Sequence, residues 1–312
     1  MDTISFQFLE RVAGQLKNVD HLGLLGGFWA LAANEKLKRR CQFEFQLCPT
    51  TDSSIWLYSF YSPKYGYCSM DSIQQLDQRY VHVTRFDITH DSSDRYKIKQ
   101  TLQESEVITT LLPFALRYMR YAHLQFDCSP PARSRLFDLL TRYLSRCYRF
   151  EELTIRYHGA QSRVIFENQL RNGFVNKVTL RGEWSDADLQ FALAKIDKLN
   201  QLEFFSNWNI DAEWLLEDLV YRWNEGQFEG KKLSIATSIN EKIVVKVLKN
   251  TNYTKNPKVL EYSMKNANND YFVIWPYTSI QIGSDLNRLA DACGTYMLPQ
   301  IPTFPEAMYQ FE

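Results

Sequence analysis

Six short stretches of this chain carry one pattern: an apolar residue, a spacer and a second apolar residue. They are Phe86/Ile88, Leu124/Phe126, Leu153/Ile155, Val178/Leu180, Leu202/Phe204 and Leu233/Ile235. Successive stretches start 38, 29, 25, 24 and 31 residues apart, and most lead into a segment of helical periodicity. Alternation marks a strand, and a strand–helix unit recurring at this spacing marks a repeat architecture. One such unit cannot bury its own apolar face, so the copies stack and leave a broad open surface. Folds of that kind bind other macromolecules more often than they catalyse.

The clearest unit runs Lys177-Val178-Thr179-Leu180-Arg181, then Ser185-Asp186-Ala187-Asp188, then an apolar stripe of Leu189, Leu193, Ile196 and Leu199. Ser185 and Asp188 have capping-box spacing, in which hydroxyl and carboxylate satisfy free backbone amides at a helix start. The next unit follows the same plan. Leu202/Phe204 leads to a cap at Asp211 and a stripe of Leu215, Leu216, Leu219, Val220 and Trp223, which Gly226 and Gly230 stop. Pro113 is expected to kink or end the helix after the first strand. Strands joined by helices on one side run parallel. The expected fold is therefore α/β, a solenoid over residues 81–265 with a curved parallel sheet and helices outside.

The flanks differ. Residues 1–40 read as a small helical module. Phe6, Leu9, Ala13 and Leu16 fall at helical offsets, with Phe8 and Val12 beside them. Asp20 suits the cap of a second helix that would bury Leu22, Leu25, Phe28, Trp29 and Ala32, although Gly23, Gly26 and Gly27 each weaken it by about 1 kcal/mol. Lys36, Lys38, Arg39 and Arg40 suit a helix C-terminus and read as a solvated face. Residues 41–80 read as a β-hairpin connector, with Phe43/Phe45/Leu47 and Trp56/Tyr58/Phe60 alternating around a turn at 49–54. Residues 266–312, with the continuous apolar run 271–275, read as a closing cap for the array.

Charge narrows the function. Lysine plus arginine number 36 and aspartate plus glutamate 36, so the basic excess that favours nucleic acid is missing. Leu22 to Ala33 is apolar or glycine throughout, but twelve residues fall short of the roughly 20 that span a bilayer. Acidic residues ahead of that run argue against a signal peptide. The six cysteines form no C-x-x-C pair and match no zinc spacing, so buried free thiols in a reducing compartment, cytoplasmic or nuclear, are expected. Neither a glycine-rich phosphate loop nor a metalloprotease or serine-hydrolase motif is present, and the five histidines are scattered. The expectation is a non-enzyme without metal or cofactor.

In the expected strands the spacer residues point to the open face. They give one row of Gln125, Thr154, Thr179, Glu203 and Ser234, and another of Asp127, Arg156, Arg181, Phe205 and Ala236. Arg156 and Arg181 would be neighbours about 4.8 Å apart. Two such guanidiniums call for a bridging anion: an acidic peptide or phosphate on a partner, or a local carboxylate such as Asp127, Glu203 or Glu183. Asp127, Arg156, Arg181, Glu203 and Phe205 are thus the candidate target-binding residues. Tyr157, Trp184, Trp208 and Trp214 cluster past the strand ends, as binding anchors or as packing beneath the turns.

Over roughly 80–265 the chain resembles the leucine-rich-repeat superfamily. The ladder-asparagine positions hold Ser129, His158, Glu183, Asn207 and Ser238, so Asn207 alone fits. The N-terminus resembles an F-box. Ile4-Ser5 stands at the Leu-Pro position, Phe8, Leu9 and Val12 match the helix apolars, Leu16 the following leucine, and Trp29 the tryptophan of the second helix. The proline is absent and the spacing before the tryptophan is shorter. The combination is similar to nematode-expanded F-box families. It implies a substrate receptor of a cullin-based ubiquitin ligase, with Phe8, Leu9, Val12, Leu16 and Trp29 docking a Skp-type adaptor and the array holding a target. The competing reading is a stand-alone repeat protein whose N-terminus is only a cap.

Overall fold

The computed structural model describes residues 5–16, 19–50, 52, 54–89, 100–128, 135–147, 149–206, 212–237, 239–256, 261–265, 270–275 and 279–283. The chain forms two compact units, Met1–Ile210 and Asp211–Glu312. The division falls inside the stretch expected to be one array.

The first unit opens with three helices, α1 (Phe6–Gln15), α2 (Asp20–Gly23) and α3 (Gly27–Arg39). Ser5 caps α1 by accepting from the Phe8 amide at 3.3 Å. Ala13, Val19, Leu22 and Ala33 form the small core, with Trp29 packed against it. The long second helix expected from the sequence does not form. Gly26 and Gly27 both adopt positive φ, which ends α2 and starts α3 afresh. Leu25 and Phe28 consequently lie 66% and 70% exposed instead of buried. Lys36 is a second correction. It is buried rather than solvated, donating to the Arg79 carbonyl with its ammonium 4.6 Å from the Tyr80 ring centroid.

The sheet elements follow in order: β1 (Cys41–Pro49), β2 (Ile55–Ser62), β3 (Gly66–Cys68), α4 (Met70–Gln74), β4 (Val81–Thr89) and β5 (Gln100–Gln103). A helical segment comprises α5 (Glu104–Glu106), a π turn (Val107–Leu111) and α6 (Leu112–Arg117). The chain continues through β6 (Met119–Asp127), α7 (Arg135–Arg146), β7 (Phe150–Arg156), α8 (Ala160–Asn172), β8 (Lys177–Gly182), α9 (Asp186–Leu193) and β9 (Gln201–Ser206). Pro113 does not end its helix. The turn before it widens so that the Leu112 amide reaches the Val107 carbonyl, and the helix continues.

Within this unit the strands lie in the order β3-β2-β1-β4-β6-β7-β8-β9, with β5 also on β2. From β1 through β4 to β9 every pairing is parallel, while β2, β3 and β5 are antiparallel. The architecture is α/β with an open, mixed and largely parallel sheet. Five of the six patterned stretches are adjacent strands, and their apolar pairs stand opposite one another. One ladder is Phe45, Phe86, Leu124, Leu153, Val178 and Leu202; the next is Leu47, Ile88, Phe126, Ile155, Leu180 and Phe204. All twelve are buried. A one-residue slip would turn a whole strand's apolar set to the other face, so these ladders fix the register. Helices cover the apolar side. Phe126 meets Phe137 of α7 at 5.3 Å, and Phe166 of α8 meets Trp184 at 5.3 Å. The Gln169 amide of α8 donates to the Cys147 carbonyl at 3.1 Å, and Arg163 of α8 reaches Asp188 of α9 at 2.8 Å. Each strand–helix unit therefore packs on the one before it.

The second unit contains α10 (Ala212–Asn224), β10 (Lys232–Ala236), α11 (Glu241–Leu248), β11 (Thr254–Asn256), β12 (Glu261–Lys265), β13 (Tyr271–Trp275) and β14 (Ser279–Gly283). Its strands lie in the order β11-β12-β13-β14-β10, with antiparallel pairings throughout. The sixth patterned stretch, β10, pairs antiparallel with β14, a strand of the segment expected to close the array. The links within β11–β14 are too short for parallel crossovers.

Candidate binding surface

The ladders that bury apolar side chains put every second residue of β1, β4 and β6–β9 on the opposite face. One register there reads Gln46, Asp87, Gln125, Thr154, Thr179 and Glu203 across six strands. The register before it reads Glu44, Arg85, His123, Glu152, Lys177 and Gln201. Bonds within and between strands knit these rows. Arg85 Nε donates to both Asp87 oxygens at 2.8 Å, and its Nη2 reaches Gln125 Oε1 at 2.5 Å. Gln46 donates to Thr89 Oγ1 at 3.2 Å, and His123 Nε2 lies 2.9 Å from Thr154 Oγ1. Thr179 and Gln201 donate to Glu203 at 2.8 and 2.6 Å.

The five candidate target-binding residues fall on this face. Asp127 ends β6, and Arg156, Arg181 and Phe205 follow in one register on β7, β8 and β9, with Glu203 one step earlier on β9. Arg156 Nε reaches Asp127 Oδ1 at 2.7 Å, and His158 Nε2 stands 3.9 Å from the same oxygen. The nearby His158 imidazole, with the charges of Arg156 and Arg181, holds the Asp127 carboxyl below its ordinary range against the opposing effect of burial. The carboxylate paired with Arg156 is local, and it stands on the β6 side of that residue, away from Arg181. Glu203 is committed to Thr179 and Gln201. Gly182 turns the chain at φ +89 and leaves room for the Tyr157 amide to bond the Arg181 carbonyl at 2.8 Å.

The surface is uneven: Gln46, Asp87 and Thr179 are buried, Glu44 and Arg85 are half-buried, and Arg156 is exposed. Burial lifts the Asp87 carboxyl to about 6, against the pull of Arg85. Burial, with the charge of Arg85, lowers His123 to about 4. Residue-by-residue reading missed Gln46, Glu44, Arg85 and Asp87, because the 41–49 strand joins the parallel set. Its alternation was visible, but its partner was not.

The candidate adaptor-binding residues divide between core and surface. Leu9 is buried, Val12 and Trp29 are half-buried, and Phe8 and Leu16 are exposed. On α3 the positions 29, 32, 33 and 36 turn inward. Phe28 and Leu31, one turn apart, turn outward, next to the exposed Leu24 and Leu25. The glycine breaks were visible in the sequence; the apolar face they turn outward was not read from them.

Trp184 is fully buried between Tyr157 and Phe166, so packing beneath the turn accounts for it. Ile4, Ser129, Asn207, Trp208, Asp211, Ser238 and the stretch 284–312 lie outside the described residues. Cys41, Cys48 and Cys128 are buried free thiols, and Cys68 and Cys147 are free and partly buried. Among the described residues no three His, Cys, Asp or Glu side chains gather as metal ligands, and no helix is long and apolar enough to cross a membrane. Compared with known proteins, the chain matches no family model, no curated protein and no solved structure.

Proposed function

We propose that this chain is a two-ended protein-binding adaptor, the substrate receptor of a cullin-based ubiquitin ligase. Its helical front end docks a Skp-type adaptor, and its β4–β9 face, read as part of a leucine-rich-repeat-like solenoid, receives a target protein. The observation that carries the reading is the apolar surface of the front end. Phe8, Leu24, Leu25, Phe28 and Leu31 are exposed, with Leu24 at 85%. Exposed large apolar side chains gathered on one small module mark an interaction site, and helix-in-groove docking is a common use of such a surface. The resemblance of residues 4–29 to an F-box names the partner.

Target binding is assigned to Asp127, Arg156, Arg181, Glu203 and Phe205, where arginine and an aromatic residue share a register on neighbouring strands. Co-expression of the full chain with a Skp-type adaptor tests the reading. Stoichiometric co-purification that Phe28→Asp with Leu31→Asp abolishes supports it. Its absence favours the second reading, a stand-alone interaction protein whose small apolar core (Ala13, Val19, Leu22, Ala33) serves only as a cap.

A further inference from the structure

The polar face does not stop at β1. On β2 the Phe60 ring turns to the helix side, where it meets Phe45 at 4.9 Å and Phe114 of α6 at 5.8 Å. Alternation then puts Ser59 and Tyr61 on the polar side. Tyr61 stands opposite Glu44 of β1 and opposite Tyr67 of β3, and Ser59 stands opposite Gln46. Side chains opposite one another on a face are within reach, with Cβ atoms about 5 Å apart. The two tyrosine rings do meet, with centroids 5.2 Å apart and planes tilted by 54°.

This corner is rich in oxygens and short of cations. Glu44 is half-buried, and no ion pair engages it among the described residues. Arg85, its register partner on β4, turns its guanidinium to Asp87 and Gln125. Lys64, on the turn between β2 and β3, lies over the Tyr65 ring at 5.2 Å. One step along the same face, Gln46 and Ser59 are each 4% exposed, and Gln46 Oε1 and Ser59 Oγ have no hydrogen-bond partner. A polar atom left without a partner in so buried a place is costly, and its retention calls for a reason.

A carboxylate without a counter-ion, beside two partly exposed aromatic rings, calls for a cation that carries N–H groups and lies against a ring face. A metal ion would leave the rings unused. We propose that Glu44, Tyr61 and Tyr67 bind an alkylammonium group, that of a lysine side chain on a partner protein or of a free amine. The carboxylate accepts the charge-assisted bond, and the ring faces attract the ammonium and its adjoining methylenes. Gln46 and Ser59 give the corner a floor of oxygens, which suits a positive charge above it. The inference does not rest on the ligase reading, since these residues belong neither to the helical front end nor to the candidate target-binding set.

The test is titration of the full chain with n-butylammonium chloride, read by saturation-transfer NMR of the ligand, against n-butanol at the same ionic strength. The expected result is saturable binding of butylammonium and none of butanol. Glu44→Gln should weaken the apparent affinity by about tenfold, the loss of one charge-assisted bond. Tyr61→Leu should weaken it roughly threefold, and Tyr61→Phe, which keeps the ring face, should leave it unchanged. Glu44 is only half-buried, so its variant decides the matter if Tyr61→Leu fails to fold. Competition by a lysine peptide with blocked termini would assign the group to a partner, and saturation without such competition would assign it to a free amine. No saturable binding, butanol binding as well as butylammonium, or full binding by Glu44→Gln overturns the proposal.

Discussion

Arg156 and Arg181 are register partners on adjacent parallel strands, and Asp127 grips the first of them at 2.7 Å. That carboxylate neutralises one of two neighbouring guanidiniums and so weakens their mutual repulsion. Asp127→Asn is expected to lower stability at neutral pH by about 1–2 kcal/mol, since the group is half-buried. Its folded pKa is depressed, so its contribution is present above the ordinary carboxylate range and is lost as pH falls through the folded value. Urea unfolding of both proteins at pH 7 and pH 3 checks this. The difference should be larger at pH 7 than at pH 3, and a difference independent of pH contradicts it.

The start of α9 is a second point of leverage. Asp188 is buried and accepts from Arg163 Nε and Nη2 at 2.8 Å, from Ser185 Oγ at 2.7 Å and from the Ser185 amide at 3.0 Å. Ser185→Ala should cost about 1 kcal/mol, the usual value of a lost N-cap. Asp188→Asn should cost roughly 2–3 kcal/mol, because Arg163 then loses its carboxylate. The double variant should lose less than the two costs combined, since both changes break the same bonds. Additive losses in chemical denaturation would contradict the shared network.

Acid should weaken the protein through its histidines. Burial lowers His82 to about 3 and His123 to about 4. Below an unfolded value of about 6.5 the unfolded chain takes up protons that the native chain refuses, so stability falls with pH. Asp87 acts in the opposite direction. Its folded pKa of about 6 exceeds the unfolded value, so acid returns some stability. Two histidines outweigh one aspartate, and the net loss between pH 7 and pH 4.5 should be roughly 3 kcal/mol. Urea titrations of the wild type against the double variant His82→Gln, His123→Gln read it out. Equal pH slopes for the two proteins would contradict the assignment.

The strands were legible because their signal is local. Val178/Leu180 and Leu202/Phe204 alternate within each strand, and Ser185 with Asp188 forms a capping box within one turn. The neighbourhood of Arg156 and Arg181 followed from matching offsets in successive units. What escaped depends on distant partners. The hairpin residues Phe45 and Leu47 announce an antiparallel partner, yet they also pair parallel with Phe86 and Ile88, some forty residues on. Lys36 looked like surface charge, because nothing in its own helix reveals the Arg79 carbonyl that holds it. Burial of Asp87 and His82 is likewise set by what packs over β4 rather than by their neighbours in the chain.

The account depends most on the front end being a docking surface. Hydrogen exchange of the full chain, alone and with a purified Skp-type adaptor, tests this directly. The account predicts slowed exchange in α1 and in α3 around Phe28 and Leu31, with β6–β9 unchanged. Exchange in α1 and α3 that the adaptor leaves unaltered at saturating concentration would contradict it.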